Sequence, residues 1–164
     1  MMKIERKGSL TLYRSTYPFF LPALNRPKIE VFRKRFDWIE CVYFDYSPQG
    51  RCELCLGSAV ESGESHAEEA RVYARCAEIR LPRLGLQHME YLYAHQREFR
   101  ALFSKNIDRI WFRGMAVFEK GTCGMYYPVL FRERPHGRFT KWRPSWAHDF
   151  DGHTESDRIA FARR

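Results

Sequence analysis

Apolar and polar positions follow two different periods along this chain, and the changes of period mark its elements. The clearest stretch runs from Asp108 to Arg134, DRIWFRGMAVFEKGTCGMYYPVLFRER. Ile110, Phe112, Met115, Val117 and Phe118 form a first apolar run; Met125, Tyr126, Tyr127, Val129, Leu130 and Phe131 form a second. The β-branched and aromatic content predicts a pair of strands, Ile110–Phe118 and Met125–Phe131. Gly121 and Gly124 between them allow positive φ in a hairpin turn. Nearly continuous apolar runs predict strands covered on both faces or central in their sheet.

Earlier in the chain, Ser9–Tyr17 alternates, with Leu10 and Leu12 on one face, and predicts a strand. Pro18, Pro22 and Pro27 make a rigid connection. Pro27–Phe36 fits a short helix with Ile29, Phe32 and Phe36 on one stripe, and fits a strand nearly as well. Trp38–Tyr46, WIECVYFDY, is almost wholly apolar and reads as a central strand. Ser47-Pro48-Gln49-Gly50 is a turn, with Cys52–Leu56 as the returning strand. Ser65 followed by Glu68 forms a capping box and predicts a helix over Ser65–Leu81, with Ala70, Tyr73, Ala74, Ala77 and Leu81 inward and Pro82 as the stop. A second helix is predicted over Gln87–Lys105, burying Met89, Leu92, Tyr93, Gln96, Phe99, Leu102 and Phe103. The pattern assigns no elements to the tail beyond the hairpin, which holds Trp142, Trp146, Phe150 and Phe161.

The order β-β-α-α-β-β predicts an α+β fold: an antiparallel sheet of four to five strands with two helices packed on one face. The 164 residues suit a single domain, with a basic N-terminal segment and a basic, aromatic C-terminal extension. Hydrophobic residues make up 45% of the chain and aromatic ones 16%, enough for a packed core rather than disorder. No run of 18 apolar residues exists and MMKIERKGS lacks a signal-peptide core, which predicts a soluble, cytoplasmic protein with no membrane partner. Five cysteines, an odd number scattered through the chain, fit reduced thiols.

Twenty-eight Lys and Arg against 20 Asp and Glu give a net charge of +8, which favours an anionic partner. The charge is uneven. Basic residues crowd the first 35 positions, including Arg33, Lys34 and Arg35. Glu61, Glu64, Glu68 and Glu69 follow without a base among them. Arg132, Arg134, Arg138, Lys141 and Arg143 then make the chain basic again. RERPHGRFTKWRPSW interleaves these bases with Phe139, Trp142 and Trp146, a combination suited to single-stranded nucleic acid: cations neutralise phosphates while rings stack on bases. The competing reading has the aromatics anchoring the tail to the core and the bases solvated.

Metal and catalytic patterns are weaker. Cys52-x-x-Cys55 with His66 and Cys76 resembles a zinc set, but a strand would point Cys52 and Cys55 to opposite faces, and buried free thiols fit better. His148, Asp149, Asp151 and His153 could hold a hard divalent cation, yet read more simply as a polar turn closed by Gly152. His88 and His95 fall on one helix face with no third partner. No Ser/His/Asp or Cys/His spacing and no Gly-rich phosphate loop occurs. No catalytic residue, metal ligand or cofactor is assigned.

The run HQREFRALFSKNIDRIWFRGMAVFEKGTCGMYYPVLF resembles the region around the metal motif of HUH-type replication initiators of phages and plasmids. Glu119-Lys120-Gly121 matches the family's glutamate and turn, and Val129-Leu130-Phe131 matches its apolar run. Met125 and Tyr127 stand where the family has its two histidines, and neither binds a divalent cation as imidazole does. The resemblance covers about 40 residues and implies a ferredoxin-like sheet, a mobile-element origin and lost strand cleavage. Tyr91 and Tyr93 stand on a helix as the family's nucleophiles do, but without the metal neither is nominated.

These readings converge on a non-catalytic mobile-element protein that binds nucleic acid or a host nucleoprotein complex. Its contact residues are Arg132, Arg134, Arg138, Lys141, Trp142 and Arg143, with Arg33, Lys34 and Arg35 as a second patch. The alternative is an inhibitor of a host defence assembly, of the anti-CRISPR type, acting by protein contacts.

Overall fold

The structure, a computed structural model, describes residues 2–7, 10–15, 19–99, 106–133 and 141–163. Among these the strands are β1 (Met2–Lys7), β2 (Leu10–Ser15), β3 (Phe19–Leu21), β4 (Ile39–Asp45), β5 (Cys52–Ser58), β6 (His66–Ala67), β7 (Arg109–Trp111), β8 (Met115–Glu119), β9 (Met125–Glu133), β10 (Lys141–His148), β11 (His153–Thr154) and β12 (Asp157–Arg163). The helices are α1 (Ile29–Arg35), α2 (Glu69–Ile79) and α3 (Leu86–Ala94). Ten strands form one mixed sheet in the order β1-β2-β5-β12-β7-β9-β8-β4, with β10 added beside β9 and β3 beside β5. β7 and β12 run parallel. This replaces the expected antiparallel sheet of four or five strands. The unassigned tail supplies most of the difference, since β12 lies in the middle of the sheet between β5 and β7.

The helices do not share one face. Period-two alternation sends Leu54, Leu56, Ile110, Phe112, Val117, Leu130, Ala160 and Ala162 into one apolar cluster with Phe32 of α1 and Met89 and Leu92 of α3. Cys55, Trp111, Ala116, Val129, Ile159 and Phe161 enter a second cluster with Val72, Cys76 and Ile79 of α2. The sheet is therefore sandwiched, α1 and α3 on one side and α2 on the other. β5 is buried along its whole length because both layers cover it.

The predicted hairpin is present, with a correction to its first strand. β10 covers one edge of β9, so β7 and β8 share the other: Trp111 faces Val129, and Val117 faces Tyr126. Between these pairs residues 112–116 oppose only 127–128, an excursion that breaks the ladder. Gly114 lies at its crest, donating to the Leu84 carbonyl at 2.8 Å. A Cβ there would run into the Arg83 carbonyl, so the linker between α2 and α3 fits only over glycine. Gly121, at φ +74°, makes the hairpin turn.

Other expectations change too. β4 is not central: among the described residues it pairs only with β8, leaving Tyr43 exposed. Cys52–Leu56 does not return along it; β5 pairs with β12, β2 and β3. Pro27–Phe36 does hold the helix α1. The capping-box helix begins only at Glu69, because His66 and Ala67 pair with β11, and its N-cap Glu68 makes no side-chain cap. Its inward stripe is Val72, Arg75, Cys76 and Ile79, whereas Ala70, Tyr73, Ala74 and Ala77 are exposed. Both stripes have the i, i+3, i+4, i+7 spacing. The alanine one carries no charge, but Val72, Cys76 and Ile79 have more apolar surface to bury, and Arg75 can go in with them because Glu64 bonds it at 2.7 Å and Glu61 at 3.1 Å. α3 ends at Ala94 and residues 95–99 turn, while 100–105 lie outside the described residues; Tyr93 is exposed. Phe99, Phe112 and Val129 are buried as expected; Leu102 and Phe103 lie outside the described residues.

Candidate functional site

The excursion at Gly114 carries Arg113 onto the α2 face, where it is fully buried. Glu69, the first residue of α2, meets it with both oxygens: Arg113 Nη1 donates to Oε2 at 2.7 Å, and Nη2 donates to Oε1. The fork geometry suits a planar guanidinium on a carboxylate. His153 Nε2 lies 3.2 Å from Glu69 Oε2, and the Tyr127 hydroxyl 3.4 Å from Oε1. Arg113 also sits 4.3 Å over the Tyr127 ring. Burial opposes ionisation of Glu69, but hydrogen bonds from Arg113 and His153 and the charge of Arg113 outweigh it and hold the carboxyl at about 2. Burial pushes His153 down and Tyr127 up to about 12. A neutral His153 then donates Nε2–H to the ionised Glu69, so its 3.3 Å approach to Arg113 is a contact between donors. Two bonds from Arg113, one from His153 and one from Tyr127 occupy the four acceptor positions of Glu69. Arg113 Nε and His153 Nδ1 are buried without a hydrogen-bond partner among the described residues.

Above it opens a cleft of about 980 Å³ between α2, β4, the start of β9 and the Asp149–Gly152 turn. Glu69 and Tyr127 form its floor. Its walls carry Tyr43, Phe44, Tyr46, Tyr73, Met125 and Phe150. Of the six exposed aromatic side chains among the described residues, four line this one cleft: Tyr43, Tyr46, Tyr73 and Phe150. The rings are held in place. Tyr46 is stacked on Phe44 at 5.4 Å and 7°, and Phe150 on His148 at 5.1 Å and 23°. Glu68, Asp149, His66 and Arg83 supply the polar part of the lining.

The basic, aromatic segment is arranged differently from its sequence reading. In β10 the alternation turns Trp142, 7% exposed, into the core with Trp146 packed against it, and Lys141 and Arg143 outward. Trp142 is architecture and offers no free stacking face. Arg132 donates to the Ile107 carbonyl and lies 5.6 Å over the Trp142 ring. Arg143 pairs with Glu133 on the neighbouring strand. Arg134 and Arg138 lie outside the described residues. Arg33, Lys34 and Arg35 are exposed on α1, with Arg35 paired to Glu90 of α3.

Cys52 and Cys55 enter opposite clusters, and burial pushes the Cys52 thiol up to about 11. Around a 3-10 turn the His148 amide donates to Asp151 at 3.0 Å and His148 Nδ1 accepts the Phe150 amide at 3.1 Å, while His153 faces Glu69 instead. Among the described residues no three His, Cys, Asp or Glu side chains are placed to hold a metal ion. His88 is buried in α3, its Nδ1 accepting the Gly85 amide, and His95 stacks on Tyr91 at 4.0 Å. Met125 and Tyr127, where the HUH likeness expects histidines, both line the cleft. Glu119 anchors the hairpin turn through Thr122 and Tyr126. Tyr91 packs on the opposite face of the sheet, on the α3 side.

The sequence holds one signal for this site: Arg113 interrupts an otherwise apolar run, IWFRGMAVF, and a charge in a buried strand must have a partner. No helix among the described residues is long and apolar enough to cross a membrane. No protein-family model matches the chain, no curated protein matches its sequence, and no solved structure matches its fold.

Proposed function

We propose that the protein is a non-catalytic binding protein whose partner is a nucleoprotein. The observation that supports this is a clustering of exposed rings: Tyr43, Tyr46, Tyr73 and Phe150 share one cleft with Glu68 and Asp149, while exposed bases such as Arg33, Lys34, Lys141 and Arg143 lie elsewhere, on α1 and β10. Bases suit phosphates, and an acidic aromatic cleft suits protein. A nucleoprotein offers both. A binding role also accords with the buried polar cluster, whose carboxylate, Glu69, is occupied by Arg113, His153 and Tyr127 rather than poised toward a reactant. A host defence effector loaded with nucleic acid is a partner of this kind, as is the nucleoprotein of a replicating mobile element.

The phosphate-facing half is tested by fluorescence anisotropy with labelled single- and double-stranded oligonucleotides. Binding should weaken steeply as salt rises. The quadruple variant Arg33→Glu, Lys34→Glu, Lys141→Glu, Arg143→Glu should abolish it with the melting temperature nearly unchanged. No binding by the unaltered protein at low salt would remove nucleic acid from the reading.

A further inference from the structure

Arginine over an aromatic ring is a recurrent contact in this fold. Among the described residues seven guanidinium groups lie 4.3 to 5.7 Å from a ring centroid. Two of these rings belong to the cleft: Arg83 lies over Tyr73 and Arg113 over Tyr127. Even the exposed Phe20 carries Arg51. Tyr43, Tyr46 and Phe150 carry no such cation among the described residues, although Tyr46 is 72% exposed and Phe150 84%. One face of Tyr46 rests on Phe44 and one face of Phe150 on His148, so each ring is fixed with its other face open.

The charges around these rings point the same way. Arg113 cancels Glu69 within the floor. That leaves Glu68 and Asp149 against Arg83 in the lining, a net negative opening on a chain of net charge +8. Glu68 is exposed and makes no ion pair among the described residues. His148 lies 2.9 Å from Asp149 and offsets its charge only when protonated. Phosphates would be repelled here, while a cation gains from the ring quadrupoles and the carboxylates together.

We propose that the cleft between α2, β4 and the Asp149–Gly152 turn binds a guanidinium or ammonium group, presented by an arginine or lysine on a basic segment of a protein partner. The incoming group inserts between Tyr46 and Phe150 with Glu68 and Asp149 as counter-ions. The floor cluster keeps Tyr127 and α2 fixed beneath it. This rests on the reading of the protein as a nucleoprotein binder and names what the cleft contacts: the basic surface that a nucleic-acid-handling protein exposes.

The test is titration of the full chain with acetyl-Gly-Gly-Arg-Gly-Gly-amide, followed by the ring resonances of Tyr43, Tyr46 and Phe150 in NMR. The citrulline peptide, equal in shape but uncharged, is the control. The arginine peptide should bind with a dissociation constant on the order of millimolar, roughly 3- to 30-fold tighter than its citrulline counterpart. Tyr46→Ala and Phe150→Ala should each weaken binding by about 3-fold or more, and Glu68→Gln should weaken it and flatten its salt dependence. These side chains are largely exposed, so a melting curve should show the variants folded. Equal binding of both peptides, no binding at about 10 mM peptide (roughly tenfold above the expected dissociation constant), or indifference to the double variant Tyr46→Ala, Phe150→Ala overturns the proposal. So does displacement of the peptide by cytidine or adenosine monophosphate, which would make the cleft a base-stacking site. Oligonucleotide binding by the bases of α1 and β10 is unaffected by failure here, so the two readings fall separately.

Discussion

The two faces of the sheet solve burial by different means. The face under α1 and α3 is closed by apolar packing, and its buried polar side chains are neutral: Gln87 donates to Ser47 at 2.8 Å, and burial pushes His88 down to about 4. The face under α2 holds charge, with Arg113 fully buried against Glu69, Arg109 bonded to the buried Asp157 at 2.7 Å, and Arg75 bonded to Glu64. The neutral face gives stability without an opening. The ionic face gives a rigid floor, and the cleft lies above it. An apolar floor of equal volume would be as stable or more so, since desolvating an ion pair offsets much of its attraction. The charges are therefore better explained by what they position than by what they stabilise.

The largest expected effect tests that contrast directly. Glu69→Ala leaves Arg113 buried without its counter-charge and should cost about 3–5 kcal/mol in denaturant unfolding. Replacing both, Glu69→Leu with Arg113→Met, should recover most of it while weakening the arginine peptide. If the double variant is as unstable as the single one, the pair is a net stabiliser and the contrast between faces fails.

On the neutral face, Trp142→Ala should cost about 3 kcal/mol, because the ring fills the core of β10. Lys141→Glu beside it should stay within about 0.5 kcal/mol. The reverse order would restore Trp142 as a surface contact.

Acid should separate the faces by pH. His88 and His153 are both held neutral by burial, with folded values below the about 6.5 of an unfolded histidine. Their contribution is full above that value and is lost as the pH falls through it, toward 4 for His88. Hydrogen bonds from Arg75 hold Glu64 at about 2, as Arg113 holds Glu69, so these contribute above about 4.3 and are lost as the pH falls toward 2. Melting temperature against pH should show two descending steps. His88→Gln should flatten the upper one, and an unchanged upper step would assign it to other groups.

The smallest effect sharpens the placement of α2. Ala74→Glu and Ala77→Lys lie on the exposed stripe and should change stability by less than about 0.5 kcal/mol, while Val72→Ala should cost more than 1 kcal/mol. Large losses at Ala74 or Ala77 would mean that the alanine stripe is the buried one.

Local chemistry alone determined the hairpin around Gly121, the strand at Leu10–Ser15, the helix after Pro27 and the existence of α2 and α3. Each depends on periodicity, turn residues or a stop that neighbours in sequence supply. Tertiary structure decided which strands pair. Cys52–Leu56 looks like a partner for the strand before it, yet joins β12 from more than 100 residues away, because a central apolar strand gains most where both faces are covered. It also decided which stripe of α2 turns inward. Two stripes of identical spacing compete, and the one with the larger apolar side chains, Val72, Cys76 and Ile79, is buried because Glu61 and Glu64 neutralise the Arg75 it carries. The interleaved bases and tryptophans of β10 follow the same rule: the sequence shows the alternation, and the sheet decides that the rings, not the bases, face the core. The cleft was least legible of all. Its residues come from β4, α2, β9 and the Asp149–Gly152 turn, segments that carry no common motif and meet only when Gly114 lets the α2–α3 linker cross the sheet and Arg113 finds Glu69.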